Sequence, residues 1–212
     1  MEDNKKISQA VIKRLPRYYR YLGYLLSNDI VKTSSKELSR LMDITASQVR
    51  QDLNNFGCFG QQGYGYDVNS LYEEMKKILG IDDEHNMVII GCGNLGQALA
   101  NYNSFGRVGF KVTGMFDKSP SLIGKDINGI VIQDIDQMND FLQDHKVDVA
   151  VLTIPRENAE DVAKILSRQN IKGIWNFSNV ELKLENSKIM VENTQITDSL
   201  MTLAYRMQGL TV

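Results

Sequence analysis

The chain has 212 residues, 42% of them hydrophobic, with a formal net charge of −2, so it has room for one or two domains and no uniformly basic surface for coating nucleic acid. Its two cysteines, Cys58 and Cys92, and two histidines, His85 and His145, are too few for a disulfide framework or a zinc site, and no metal is expected. No apolar run reaches the length of a membrane span and Met1-Glu2-Asp3-Asn4 does not open a signal peptide, which predicts a cytoplasmic protein without a membrane partner.

Residues 7–27 read as one helix, with Val11, Leu15, Tyr18, Leu22 and Leu25 near one face. Ser34-Ser35-Lys36-Glu37 opens a second, because Ser34 and Glu37 have capping-box spacing; Leu38, Leu41 and Met42 supply its apolar side. Thr45-Ala46-Ser47-Gln48 repeats the signal and opens a third helix through about Phe56, with Val49, Leu53 and Phe56 inward. Two short helices joined by Asp43-Ile44 after a longer one have the spacing of a helix-turn-helix. Phe59-Gly60-Gln61-Gln62-Gly63-Tyr64-Gly65-Tyr66 interleaves aromatics with glycines as a short β-hairpin does, and completes the pattern of a winged helix. A last helix is expected over residues 70–79. These readings predict a winged-helix DNA-binding domain over residues 1–80 and a polar linker over 81–86, ahead of a second domain over 87–196 and a terminal helix over 197–212.

On the third helix Ser47, Gln48, Arg50 and Gln51 lie opposite Val49 and Leu53, where a recognition helix reaches base edges in the major groove. Arg50 suits a guanine or a phosphate; Gln48 and Gln51 suit adenine or backbone oxygens. Gln62, Gly63 and Tyr64 would sit near the minor groove. Up to Gly80 there are twelve Lys and Arg against nine Asp and Glu, a balance of +3 that leaves −5 for the remainder. A basic segment on an acidic chain is the footprint of a contact with double-stranded DNA.

Val88-Ile89-Ile90 then runs into Gly91-Cys92-Gly93-Asn94-Leu95-Gly96, an apolar strand feeding G-x-G-x-x-G ahead of a helical pattern. Gly91 permits the tight turn, Gly93 lets backbone approach a pyrophosphate, and Gly96 lets the helix pack close on the sheet. The helix start offers N–H groups to phosphate. Asp117 follows Gly96 by 21 positions and closes Val112-Thr113-Gly114-Met115-Phe116, where a carboxylate takes ribose hydroxyls and repels the extra phosphate of NADP. Lys118 adjoins it. Residues 147–154 read as a buried strand, 157–170 as a helix and 171–177 as another strand. Loops at the carboxyl ends of such strands face the ligand, which adds Thr153, Ile154, Pro155, Asn176 and Phe177 as cofactor neighbours. Cys92 reads as a small residue that fits its loop, and Cys58 as equally unreactive. The fold class is α/β: a winged helix followed by a doubly wound, Rossmann-like parallel sheet.

The two halves together resemble the Rex family of redox-sensing transcriptional repressors. The segments that carry the resemblance are Arg17-Tyr18-Tyr19-Arg20, Ser34-Ser35-Lys36-Glu37-Leu38, residues 45–53, Phe56-Gly57-Cys58-Phe59-Gly60 and Gly63-Tyr64-Gly65-Tyr66. In the second half they are residues 91–99, Phe116-Asp117, residues 153–157 and Gly173-Ile174-Trp175-Asn176-Phe177. The resemblance implies a homodimer with a domain-swapped helix at about residues 197–208, NADH/NAD as cofactor, and subunit rotation by NADH that breaks the match to two operator half-sites. It also implies that Arg20 and Tyr102 couple the domains. The family usually has lysine at Gln51, arginine at Gln62 and an aspartate at Gln195, for which Asp198 stands nearby; lysine is common at Gln61. Ser178-Asn179 replaces the usual Ala-Pro. No acid or base is placed for turnover, so the chain reads as a sensor and not an enzyme. The competing readings are an NAD-binding Rossmann enzyme, or a nucleotide module with weakened or lost DNA binding.

Overall fold

Pro16 produces the first departure from the sequence reading. The computed structural model describes residues 7–57, 65–184 and 187–209. Over residues 7–27 it shows two helices instead of one, α1 (Gln9–Ile12) and α2 (Leu15–Leu26), with Pro16 in the first turn of α2. Proline has no N–H to donate and its ring crowds the preceding turn, so the helix restarts there. The apolar stripe survives the break: Val11, Leu15, Tyr18, Leu22 and Leu25 are all buried.

A short strand β1 (Lys32–Thr33) leads into α3 (Ser35–Met42). Both halves of the expected capping box are made: Glu37 N–H donates to Ser34 Oγ at 3.2 Å, and Ser34 N–H donates to Glu37 Oε2 at 2.8 Å. Asp43 ends α3 with φ of 53°, a left-handed position that aspartate tolerates better than most residues. α4 (Ala46–Asn54) starts under Thr45, whose hydroxyl accepts from Gln48 N–H at 3.1 Å, and stops two residues short of Phe56. β2 (Tyr66–Asp67) pairs antiparallel with β1, with Thr33 opposite Tyr66. The expected hairpin falls largely on residues 58–64, outside the described residues; its described end pairs with β1. α5 (Val68–Leu79) is capped by Asp67 and closed by left-handed Gly80.

The chain divides into two compact units between Asp83 and Glu84. In the second, β3 (His85–Ile90) takes up two residues expected in the linker. It is followed by α6 (Asn94–Ala100), β4 (Phe110–Asp117), β5 (Asp126–Ile127), β6 (Ile130–Asp134) and α7 (Met138–Asp144). Then come β7 (Val149–Leu152), α8 (Arg156–Leu166), β8 (Gly173–Asn176), β9 (Met190–Asn193) and α9 (Ile196–Met207). The strands expected at 147–154 and 171–177 are thus shorter at both ends, and the helix expected at 157–170 ends at Leu166.

The sheet order is β5-β6-β4-β3-β7-β8-β9, parallel except for β5. Leaving β5 aside, the order reverses on either side of β3, as in a doubly wound sheet that binds nucleotide at its switch point. Both faces are covered, which is what parallel sheets require. Val88 and Ile90 enter one apolar cluster with Phe116 and Leu152, whereas Met87 and Ile89 enter another with Met115 and Val151. Among the described residues no helix is long and apolar enough to cross a membrane.

Candidate nucleotide site and nucleic-acid interface

The three glycines of the loop after β3 are each constrained differently. Gly91 has φ of 94°, and a Cβ there would come within 2.7 Å of the Thr153 carbonyl oxygen. A Cβ on Gly96 would collide with the carbonyl oxygen of Gly91. Gly93 caps α6, is exposed, and has nothing within 4 Å of an added Cβ. That open space is the cradle a pyrophosphate needs, since the protein itself gives no reason to exclude a side chain. Asn94 is also exposed and Leu95 half-buried, in the first turn of α6, whose N–H groups lack helical acceptors. The loop therefore fits a dinucleotide.

Asp117 stands at the carboxyl end of β4 and reaches back to this loop. Its Oδ2 accepts from Cys92 N–H at 2.6 Å and its Oδ1 accepts from Ser119 N–H at 2.8 Å. The carboxylate thus both shapes the loop and sits where ribose hydroxyls would be read. Lys118 beside it is exposed. Cys92 is fully buried; its thiol contacts the Phe116 carbonyl at 3.4 Å, and burial together with the Asp117 charge pushes its pKa up to about 12. A neutral thiol is a poor nucleophile. In a Cys58→Ser variant, iodoacetamide at pH 8 should leave Cys92 unlabelled in the native protein and label it after denaturation; rapid native labelling would contradict this assignment.

The loops after β7 and β8 join the same end of the sheet. Thr153 Oγ1 donates to the carbonyls of Gly91 at 2.5 Å and Ile90 at 3.2 Å, so it fastens the neighbouring loop to the glycine turn. Ile154 is half-buried and Pro155 caps α8. Asn176 is buried: its Nδ2 donates to the Val180 carbonyl at 2.7 Å and to Asn193 Oδ1 at 2.8 Å, and its Oδ1 accepts from Ser178 N–H. It orders the loop rather than offering a free amide. Phe177 is half-buried with its ring 4.7 Å from that of Trp175.

In the first unit, Ser47, Arg50 and Gln51 are exposed and Gln48 half-buried on α4, while Val49, Asp52 and Leu53 face the core. Arg50 Nη1 donates to Ser35 Oγ at 3.1 Å, which joins α4 to the start of α3 on the exposed side. Gln62, Gly63 and Tyr64, and Cys58, lie outside the described residues.

Behind the face is a buried ionic network. Arg14 donates through Nε and Nη2 to both oxygens of Asp52 at 2.7 Å, and the Tyr18 hydroxyl donates to Asp52 Oδ2 at 3.0 Å. Burial and the Asp52 charge push the Tyr18 pKa up, and the bond to Asp52 pushes that of Arg14 up. Arg17 Nη2 also donates to the Met42 carbonyl at 2.5 Å. Sequence reading missed this network; the available signal was an acid at position 52, within the inward stripe of Val49 and Leu53.

Arg20 is exposed on α2 in the first unit, and Tyr102 is exposed in the second, edge-on to Phe105 at 5.0 Å. Gln195 caps α9 without a side-chain bond to the helix, and Asp198 is exposed in its first turn. Among the described residues no group of three His, Cys, Asp or Glu is placed to hold a metal ion.

The chain matches two family models, "CoA binding domain" over residues 82–180 and "Putative DNA-binding protein N-terminus" over residues 6–54. It is 50% identical over 209 residues to the redox-sensing transcriptional repressor Rex of Clostridium novyi (strain NT), covering 99% of each chain. It is 52% identical over 207 residues to that of Thermoanaerobacter pseudethanolicus (strain ATCC 33223 / 39E), covering 98% of this chain and 92% of the relative. Among solved structures it is similar to RSP in complex with β-NAD+ and operator DNA, with TM-score 0.91, 50% identity, and coverage of 97% and 94%. It is also similar to RSP in complex with β-NADH, with TM-score 0.89, 47% identity, and coverage of 97% and 96%. With its helix-turn-helix, its glycine loop and identity of this extent over nearly its whole length, the chain belongs to the Rex family of redox-sensing transcriptional repressors.

Proposed function

We propose that this chain acts in the cytoplasm as a dimeric repressor that holds operator DNA while NADH is scarce and releases it when NADH binds. The observation that carries the reading is Asp117, whose carboxylate is bonded to the glycine loop at Cys92 N–H. It admits unmodified ribose hydroxyls and opposes a phosphate on either of them. NADPH carries such a phosphate at the 2′ position and coenzyme A at the 3′ position, so the match to a CoA-binding model does not redirect the reading. Calorimetry with NADH, NADPH and coenzyme A tests it: NADH should bind tightest by tenfold or more, about 1.4 kcal/mol, and Asp117→Ala should narrow the gap. Equal affinities would remove Asp117 from this role.

Preference for NADH over NAD+ follows from the ring, which is neutral in one and positive in the other. A ring held against the half-buried Phe177 and the exposed Pro155 would be disfavoured in its positive form to the extent that binding strips it of water. Gly91, Cys92, Gly93, Asn94, Leu95, Gly96 and Asp117 serve the nucleotide, with Lys118, Thr153, Ile154, Pro155, Asn176 and Phe177 around it. Ser47, Gln48, Arg50 and Gln51 read the major groove, with Gln62, Gly63 and Tyr64 at the minor groove. Arg50→Ala should weaken operator binding by about 1–3 kcal/mol if it contacts a base, and Gln51→Lys should steepen the salt slope by about one. Arg20, Tyr102, Gln195 and Asp198 serve coupling.

Dimerisation rests on α9. None of its side chains is buried, and Leu200, Leu203 and Met207 are 61%, 52% and 77% exposed. An apolar helix left bare to this degree marks an interaction surface, and a second copy covers it here. A Leu200→Asp, Leu203→Asp double variant should sediment as a monomer; a persistent dimer would place the interface elsewhere.

A further inference from the structure

Trp175, the single tryptophan of the chain, lies where three parts of the second unit meet. Its ring is 4.7 Å from Phe177 on the loop after β8 and 5.9 Å from Phe105, which itself packs on Tyr102. Its indole Nε1 donates to Thr194 Oγ1 at 2.9 Å. Thr194 stands two residues ahead of Ile196, where α9 begins, and its N–H donates to the Asn176 carbonyl at 2.8 Å. Asn193 just before it is held on both sides: its Oδ1 accepts from Asn176 Nδ2, and its Nδ2 donates to the Leu182 carbonyl at 3.2 Å. The chain is therefore pinned through Asn193. Because α9 buries none of its own side chains, its direction is set at Thr194 and Gln195.

We propose that the Trp175–Thr194 hydrogen bond is the joint through which a ring bound beside Phe177 redirects α9. This rests on the sensor reading above and names the device within it. A ligand shifts a conformational equilibrium only through contacts that differ between the two states. Phe177 would be such a contact for a ring held by the loop after β8, and its own ring lies 4.7 Å from that of Trp175. Closely packed rings, tilted at Phe177 and edge-on at Phe105, leave little free volume, so they shift together rather than compress. A displaced indole carries its N–H with it, and a half-buried donor keeps its acceptor where it can. Thr194 then moves, and α9 turns about a point held by Asn193. In the dimer that turn changes the separation of the recognition helices.

Three variants test the joint in the full-length protein. Thr194→Val keeps the shape and deletes the acceptor, Trp175→Phe keeps an aromatic ring and deletes the donor, and Thr194→Ser keeps the bond. NADH affinity is read by cofactor fluorescence, and affinity for a palindromic operator duplex by anisotropy with and without saturating NADH. A changed Trp175 emission in Thr194→Val confirms that the bond is lost. The Val and Phe variants should bind NADH and, separately, operator as wild type does. Their NADH-induced loss of operator affinity should shrink by about fivefold or more, the scale of a small allosteric coupling, while Thr194→Ser responds as wild type. Undiminished release in the Val and Phe variants would overturn the joint while leaving the sensor reading intact. An NADH affinity that falls in step with the response would also overturn it, as a merely structural role. A wild type that binds NADH yet keeps its operator would overturn the sensor reading and the joint together.

Discussion

Asp52→Ala should destabilise the N-terminal unit by about 3 kcal/mol and loosen α4 from α2. Breaking a buried ion pair by deleting one partner typically costs about 3–5 kcal/mol, because the other charge is left without compensation. The low end applies here, since the side chain of Arg14 retains 17% exposure while that of Asp52 has 2%. Tyr18 loses its acceptor as well, at zero exposure. The melting transition of this unit should fall by about 10 °C or more, as expected for a domain of this size. Operator affinity should fall even at temperatures where the variant is folded, because Asp52 holds α4 from behind while Arg50 and Gln51 present their side chains in front. Calorimetry with and without operator separates the two effects. An unchanged transition would show that the Arg14–Asp52–Tyr18 network contributes no net stability.

Gly96→Ala should cost about 1–3 kcal/mol of stability, the usual range for overpacking, and weaken NADH binding by about tenfold or more, since each lost hydrogen bond to a charged group is worth about 1.5–3 kcal/mol. The added methyl would overlap the Gly91 carbonyl and lie 3.0 Å from Thr153 Oγ1. Neither neighbour can give way freely: Thr153 is itself bonded to that carbonyl. α6 must then draw back from the loop, taking its N–H groups out of reach of the phosphates of a dinucleotide bound as proposed. Gly93→Ala is the contrasting variant. Gly93 has φ of −67° and an added Cβ meets no protein atom, so stability should hold while NADH affinity falls. Thermal melts paired with NADH titration distinguish the two glycines; wild-type NADH affinity in Gly96→Ala would refute the close-packing role.

What was legible in the sequence was whatever depends on short spacing. The Ser34–Glu37 box, the cap at Thr45, the glycine loop and the acid at Asp117 all appear where local chemistry demands them. The exposed and buried sides of α4 followed from its period alone. The break at Pro16 was legible too, but the apolar stripe continues across it and masked the interruption. Contacts between distant positions left no such trace. Arg14 and Asp52 are 38 positions apart, Trp175 and Thr194 are 19 apart, and Arg50 meets Ser35 across 15. β1 and β2 are two residues each, too short to show alternation. The same holds for β5, and the stretch from β5 through α7 went unread because its elements are brief and mixed in polarity. The exposure of α9 was not legible locally: the expectation of a swapped helix at about residues 197–208 came from the family resemblance, and no local spacing says whether the surface that covers a helix lies on its own chain.

One cofactor, in one oxidation state, is expected to decide whether the DNA is held. Full-length protein is bound to a labelled palindromic duplex with half-sites spaced by a helical turn or its multiples, the spacing a two-fold dimer reads. NADH and NAD+ are then added separately at equal concentration and fixed ionic strength. A shift of the dimer from held to released needs differential affinity, and tenfold preference supplies about 1.4 kcal/mol per site. The complex is expected to dissociate with NADH and to persist with NAD+. A complex that survives both cofactors, with NADH binding shown to be saturated, would contradict it.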